Sequence, residues 1–423
     1  MAIAMATAMV TDRPNALEML ARSSSLRIAL VGLATLIALI FVLAPTIAIT
    51  VGRSDPDFGL KVWPFSAVSQ ARKAEQLITA DLNPSAIAQA DMLSRAALRH
   101  EPLNVTAARI QAIIAAARGR ESATLKWLNY AESLSRRDFA VQAMMIEAAV
   151  SRGDAKEALV HYDRALRGNK AAGDILYPVL SGSTEDAAIL PLLADLLAKR
   201  PEWWYDFTVL WQSRSPAPQP EPLFTITMAE KLDVSVPRER MLAISAMQRM
   251  VATGRADLAA RLHDSIIEPG AAIAASFDDG GFDARDSLPP FAWEFSSQIG
   301  LNGIVENREG QDRPVLTIDA ADSQRGSVAW HLVRLPAGTY RLDFRVGDVA
   351  QDGVVPAVSV TCTGAPEPLV SQSIRQGSPP ARNLEFKVSQ GCATQTVTIS
   401  GAAGSNDNLP RPWIADVKLK RLN

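Results

Sequence analysis

Three hydrophobic patterns follow one another along the chain. Residues 28–52 form an uncharged run with no polar face. As a helix this run is ~37 Å long, enough to cross a ~30 Å hydrocarbon core. Backbone groups find no water there, so a helix is the expected single span. Residues 67–200 are rich in Ala and Leu at helical spacing, stopped mostly by single glycines and polar turns. Helical spacing resumes at 223–267, after a stretch of alternating prolines at 213–222 that predicts an extended connector. From Phe291 onward apolar and polar residues alternate with period two. Strands are predicted at 327–333, 339–346, 357–362, 384–388, 396–399 and 413–419, with Gly, Pro and Asn turns between them. The expected fold class is multidomain, α then β: one transmembrane helix, an α-solenoid of helical hairpins, and an antiparallel β-sandwich. The expected boundaries are a leader at 1–27, the span at 28–50, helical repeats at 67–268, a linker at 269–289 and the sandwich at 290–423.

Arg27 and Arg53 bracket the span as interfacial anchors, and Pro45 lies near its far end. A cleaved signal peptide is the competing reading, with Thr46, Ile47 and Ala48 as a small-x-small site. The apolar run exceeds the ~7–15 residues of a signal h-region, and a long leader precedes it, so an uncleaved anchor is favoured. The leader carries Arg13, Arg22 and Arg27, against Arg53 and Lys61 just after the span. This bias puts the N-terminus inside and the large C-terminal part outside. The expectation is a single-pass inner-membrane protein with periplasmic domains.

Gly119 and Gly153 mark one step of an internal repeat. Aligned on them, Thr124 matches Ala158, Leu128 matches Tyr162, and Ala131 matches Ala165. One step back come Ala90, Ala97 and, one position further on, Leu98, with Pro102 closing that unit. In these residues the chain resembles the tetratricopeptide repeat family, whose unit of ~34 residues is two antiparallel helices joined by a tight turn. The resemblance implies that Gly119 and Gly153 make the turn. It implies that Ala90, Ala97, Ala131, Ala158 and Ala165 are small because neighbouring helices approach closely there. It covers residues 75–180, with a weaker echo at Gly254, Ala259 and Ile266. The family's first-helix Trp is absent, and its first-helix Tyr is replaced by Ala115 and Ala149. Repeats of this kind imply a protein partner on a concave surface. After the repeats, Trp203, Trp204, Tyr205, Phe207 and Trp211 form an aromatic cluster that is expected to pack the end of the helical stack, an exposed platform being the alternative.

In the C-terminal part, residues 335–342 read as a loop turning into a strand, and 413–419 as a last strand with one apolar face. Here the chain resembles the carbohydrate-binding-module-like jelly rolls. That resemblance implies a fold and leaves the ligand open; Trp330 and Trp413 are the aromatics that would contact a sugar, the alternative being that both face the core. Cys362 and Cys392 are the chain's only cysteines and fall in this one domain. A disulfide is expected in an extracytoplasmic domain, two buried thiols being the alternative.

Charge and composition exclude more than they select. With 43 Lys+Arg against 45 Asp+Glu, the net charge of -2 argues against a nucleic-acid partner. Two Cys and four scattered His build no zinc module. No nucleophile elbow, phosphate loop or paired-His motif is present. Neither catalytic nor cofactor-binding nor metal residues are expected, and the chain is read as not an enzyme. Asn104 opens a formal glycosylation sequon but reads more simply as a helix cap. Asp278, Asp279, Asp283 and Asp286 make an acidic loop that reads as a solvated linker more readily than as a calcium site. The function expected is a membrane-anchored extracytoplasmic scaffold with a β-sandwich recognition domain. The alternative is a glycan-binding envelope protein serving polysaccharide synthesis or export.

Overall fold

The computed structural model describes residues 24–266, 282, 288–321, 323–406 and 408–422. The leader and, apart from Phe282, the acidic stretch 278–286 lie outside the described residues. The chain divides into two compact units, Met1–Lys170 and Ala171–Asn423. Helices and then strands follow in the expected order.

The first unit begins with α1 (Ser24–Val51), among the described residues the one helix long and apolar enough to cross a membrane. Short α2 (Pro56–Val62) and then α3 (Ala67–Ala80) and α4 (Pro84–His100) follow. Next come α5 (Val105–Ala117), α6 (Glu121–Leu134), α7 (Phe139–Ser151) and α8 (Ala155–Gly168). The pair α7–α8 repeats the pair α5–α6, every boundary displaced by the same step that separates Gly153 from Gly119. The caps repeat too. Asn104 accepts from the Ala107 amide at 2.9 Å, and Asp138, one step on, accepts from the Val141 amide at 3.0 Å. Asn104 is thus used as a helix cap. Gly119 and Gly153 have φ of 67° and 71°. The amide after each glycine, of Arg120 and of Asp154, returns to the carbonyl of Ala115 and of Ala149 at 2.9 Å. This closure needs a left-handed residue, which glycine supplies without a Cβ clash.

Ala90, Ala97, Ala131, Ala158 and Ala165 are all buried. Leu128 and Ala131 pack with Ala108, Ala112, Val141 and Met145 into one cluster spanning two hairpins. Arg109 of α5, buried to 7% exposure, pairs with Glu75 of α3 and with Asp138 ahead of α7, so one cation ties three successive hairpins. Replacing Ala165 with Leu should overpack its site and cost about 1–3 kcal/mol. An unchanged melting temperature for Ala165→Leu would show that the site has room.

The second unit opens with α9 (Gly173–Ser183), α10 (Leu190–Leu197), α11 (Trp204–Ser213), α12 (Pro220–Glu230), α13 (Pro237–Ala252) and α14 (Ala256–Ile266). These helices share a unit with the sandwich, whereas the sequence pattern groups 67–268 together. The aromatic cluster packs the interior here: Trp203, Trp204, Phe207 and Trp211 are buried. The proline-rich connector is shorter than 213–222. Pro220 is the first residue of α12, where a missing N–H and a fixed φ cost nothing.

The sandwich has two antiparallel sheets. One is ordered β1-β5-β10-β7-β8 and the other β2-β3-β4-β11-β6-β9. The strands are β1 (Glu294–Phe295), β2 (Ser297–Gln298), β3 (Leu301–Glu306), β4 (Val315–Ala320), β5 (Arg325–Val333) and β6 (Gly338–Gly347). Then come β7 (Val355–Cys362), β8 (Pro368–Ser373), β9 (Ala381–Val388), β10 (Gln395–Ala402) and β11 (Trp413–Arg421). Each of the six strand segments expected from the sequence is found. Tyr340, Leu342, Phe344 and Val346 point inward from β6, and they meet Val358, Val360, Val397 and Ile399 from the facing sheet. Cys362 and Cys392 are bonded, with Cα atoms 5.6 Å apart.

A junction of α13 and α14 with the sandwich holds two histidines, His263 buried and His331 half-buried. His263 lies 4.6 Å from the Phe291 ring, and His331 lies 5.4 Å from Trp293. Arg334 pairs with Asp264 at 2.7 Å, and Gln248 bonds Glu294 at 2.6 Å. Burial pulls both imidazoles down to about 4. A histidine whose folded pKa lies below its unfolded value lends stability that is present above pH ~6.5 and is lost as pH falls toward 4. Each should cost on the order of 2 kcal/mol at pH 5 relative to pH 7.5. Urea midpoints at the two pH values check this; His331→Phe should shrink the difference by that residue's own share of about 2 kcal/mol, and an unchanged difference would show that His331 does not carry it.

Candidate functional site

Two surfaces have the makings of a site, one in each unit. The first is a groove of about 340 Å³ between the two repeated hairpins. Its floor is Ala116, Leu125, Leu128, Met144 and Ala148, and Arg120, Glu121, Glu147 and Arg152 lie on its rim. The small residues follow from the repeat: helices that approach closely leave a shallow cleft where one hairpin turns and the next begins. Gly119 forms part of this wall, so the turn that closes the hairpin also shapes the groove.

The second is the outer face of the six-stranded sheet. Alternation along β6 puts Tyr340, Leu342, Phe344 and Val346 inside and leaves Arg341, Asp343, Arg345 and Gly347 outside. On β11, Ile414, Val417 and Leu419 face the core, and Trp413 is half-buried. In register, Trp413 stands between Gly347 of β6 and Thr317 of β4. Its ring lies against Gly347, where any side chain would overlap it. A glycine at 347 is therefore what lets the indole lie flat.

Charged groups surround this tryptophan in pairs. Arg345 pairs with Asp416 and also donates to Oε1 of Gln311 at 2.9 Å. Asp416 has φ of 51°, at a break in the β11–β6 register between Ala415 and Lys418, and this turns its carboxylate onto Arg345. Glu306 accepts from the Thr317 hydroxyl and pairs with Arg308 at 3.0 Å, and these bonds hold its carboxyl below the usual range. Arg308 also pairs with Asp348, next to Gly347, and Arg411 pairs with Asp319 at 2.9 Å. An apolar ring among fixed donors and acceptors is the chemistry that grips an amphipathic ring such as a sugar.

Trp330 has a different setting. It lies in β5 of the other sheet, opposite Glu294 of β1. Its side chain bonds to Glu294, which also takes the bond from Gln248 of α13. Trp330 thus belongs to the helix–sandwich junction, and it does not share a face with Trp413. His161 is likewise structural, buried with Nδ1 2.8 Å from Oε1 of Gln142. Among the described residues no group of His, Cys, Asp or Glu is arranged to hold a metal ion.

No protein-family model matches the chain, and no curated protein is similar to it. Among solved structures it is similar to TmCBM61 in complex with beta-1,4-galactotriose, at 20% identity and a TM-score of 0.23, over 34% of this chain and 93% of that one. It is also similar to a structure described as "CBM4 structure and function", at 17% identity and a TM-score of 0.24, over 34% of this chain and 97% of that one. At these scores the likenesses identify neither a ligand nor a binding face.

Proposed function

We propose that the chain is a membrane-anchored extracytoplasmic scaffold. Its tetratricopeptide-like hairpins hold a short segment of a protein partner, and its sandwich serves as a second recognition domain. The observation that carries this reading is the groove between the repeated hairpins, with an apolar floor and a rim of both charge signs. A preformed cleft of this kind fits one or two apolar side chains flanked by charges, the pattern of a short docked segment. The protein acts by binding and performs no catalysis in this reading. A photoreactive residue at Thr124 should cross-link one partner in cells. Ala148→Arg, which fills the groove from its floor, should abolish that same cross-link while circular dichroism shows the variant still folded. A cross-link that survives Ala148→Arg would overturn the reading.

The face around Trp413 supports a second reading, a glycan ligand for the sandwich. The half-exposed indole seated on Gly347, with Arg345, Asp416 and Gln311 beside it, is the observation in its favour. The chain should be retained on a polysaccharide column and Trp413→Ala should not. Equal retention of both would remove Trp413 from any such site.

Both readings place residues 53–423 outside the cytoplasmic membrane. Alkaline phosphatase fused after Asn423 should be active there; an inactive fusion alongside an active cytosolic reporter would reverse the orientation.

A further inference from the structure

Beyond the span itself, we infer that the chain dips back into the lipid: the segment Trp63–Pro64–Phe65, between α2 and α3, is seated in the outer interface of the bilayer beside α1. The inference rests on the reading of α1 as a retained anchor. It starts from a ladder of rings. Phe41 of α1 meets Trp63 at 5.6 Å between centroids, Trp63 meets Phe65 at 5.8 Å, and Phe65 meets His100 at the end of α4 at 5.6 Å.

The level of Phe41 decides the depth. If Arg27 marks the inner boundary of the hydrocarbon, the outer boundary lies about 20 residues further on, near Ile47. Phe41 falls short of that by about 9 Å along the helix axis. Trp63 reaches this ring, so the chain that leaves α1 at Val51 has folded back down its side. Close packing fixes the fold-back. Ser69 Oγ donates to the Ala48 carbonyl at 3.1 Å, and Gly52 and Gly59 both lie so near Ser69 that a Cβ on either would overlap it. Ala48 is completely buried by this contact. A peptide cleaved after Ala48 would be removed from a surface built to hold it.

What covers the ladder is then fixed by continuity with the span. Phe41 is 63% exposed and Phe65 59%, and Pro64 between the two rings is also exposed. The tripeptide carries no charge. Tryptophan beside hydrocarbon at the headgroup level is the usual interfacial anchor. Of the charges on the flanking helices, Lys73 of α3 bonds Asp57 of α2 at 2.8 Å, and exposed Lys61, two residues before Trp63, has a side chain long enough to reach the headgroups. The consequence is mechanical, since the first repeat is fixed to the anchor by packing and by lipid contact and does not swing on a tether.

The test uses the full chain in phosphatidylcholine vesicles, with the Cys362–Cys392 bond intact so that only an added thiol reacts. Phe65→Cys carrying an environment-sensitive fluorophore is compared with Lys156→Cys, exposed on α8. Mass spectrometry of the membrane-extracted protein first establishes whether α1 is retained. The expected result is several-fold quenching of the Phe65→Cys probe by lipids brominated high on the acyl chain, with protection from aqueous iodide, and the opposite at Lys156→Cys. If α1 is retained and the Phe65→Cys probe behaves like the control, the interfacial seat is overturned and the anchor stands. If the mass shows α1 removed, the anchor reading fails and this inference with it.

Discussion

Removing the Cys362–Cys392 bond should lower stability by about 3–4 kcal/mol, because the bond closes a loop of 30 residues whose freedom returns to the unfolded chain. The loss should not be uniform. Cys362 stands opposite Gln395 in the β7–β10 pairing, and Gln395 is completely buried. Its amide nitrogen donates to the Cys392 carbonyl at 2.7 Å, and its amide oxygen accepts from the Leu335 amide at 2.9 Å. The bond thus holds one end of a polar bridge that fixes the loop entering β6. In the Cys362→Ala, Cys392→Ala double variant, hydrogen exchange should rise first at Leu335 and around Cys392, and later in β11. A double variant with the parent's melting temperature would mean that the pairing of β7 with β10 alone sets this edge. The bond also bears on compartment, since such bridges persist where thiols are oxidised. Alkylation of material taken from native membranes should find no free thiol.

The strands legible in the sequence share a physical feature: one face buried and one wet. Along β6 burial alternates at every residue from Tyr340 to Val346, and the sequence shows the same alternation. β4 gives no such signal, because Val315, Leu316, Thr317 and Ile318 are all buried and period two disappears. β8 gives none for the opposite reason, being an edge strand with no buried residue. The helical repeat is readable because a turn closing on a left-handed residue demands glycine, and Gly119 and Gly153 carry that demand openly. The end of the connector is not, since Pro220 and Pro222 stop a helix but also start one. The candidate sites are less legible still. Trp413 can be singled out, but Gly347 beneath it is remote in the chain and becomes its neighbour only through the pairing of β6 with β11. Trp330 has the same residue type in the same kind of strand, and only the placement of α13 separates its role from that of Trp413. The groove has no sequence signature because it is the space left between two hairpins.

Glu230→Gln should stabilise the second unit by about 3 kcal/mol at pH 8, and the gain should shrink below about 1 kcal/mol near pH 5. Glu230 ends α12 almost without exposure. Burial pushes its carboxyl up to about 7; the Thr208 hydroxyl bonded to Oε1 and the Arg200 charge only partly oppose this. Arg200 is committed elsewhere, to Glu239 at 2.7 Å and to the backbone carbonyls of Glu230 and Lys231. Oε2 of Glu230 has no hydrogen-bond partner among the described residues. The ionised form is therefore a buried, half-satisfied charge, which is costly. A carboxyl whose folded pKa lies above its unfolded value binds its proton more tightly in the native state. Native stability is then greatest at low pH and is lost as pH rises from about 4.5 through 7. This slope runs against that of His263 and His331, which lose stability as pH falls. Together they predict stability that rises from pH 5 to about pH 6.5 and then levels off, because above that point the carboxyl's loss cancels what the two imidazoles still gain. Gln keeps the acceptor for Thr208 and has no charge to bury, so the variant should go on gaining stability above about pH 6.5, where the parent levels off. Denaturant midpoints of parent and variant from pH 5 to pH 8 decide the matter. Curves that run parallel over that range would place the buried proton somewhere other than Glu230.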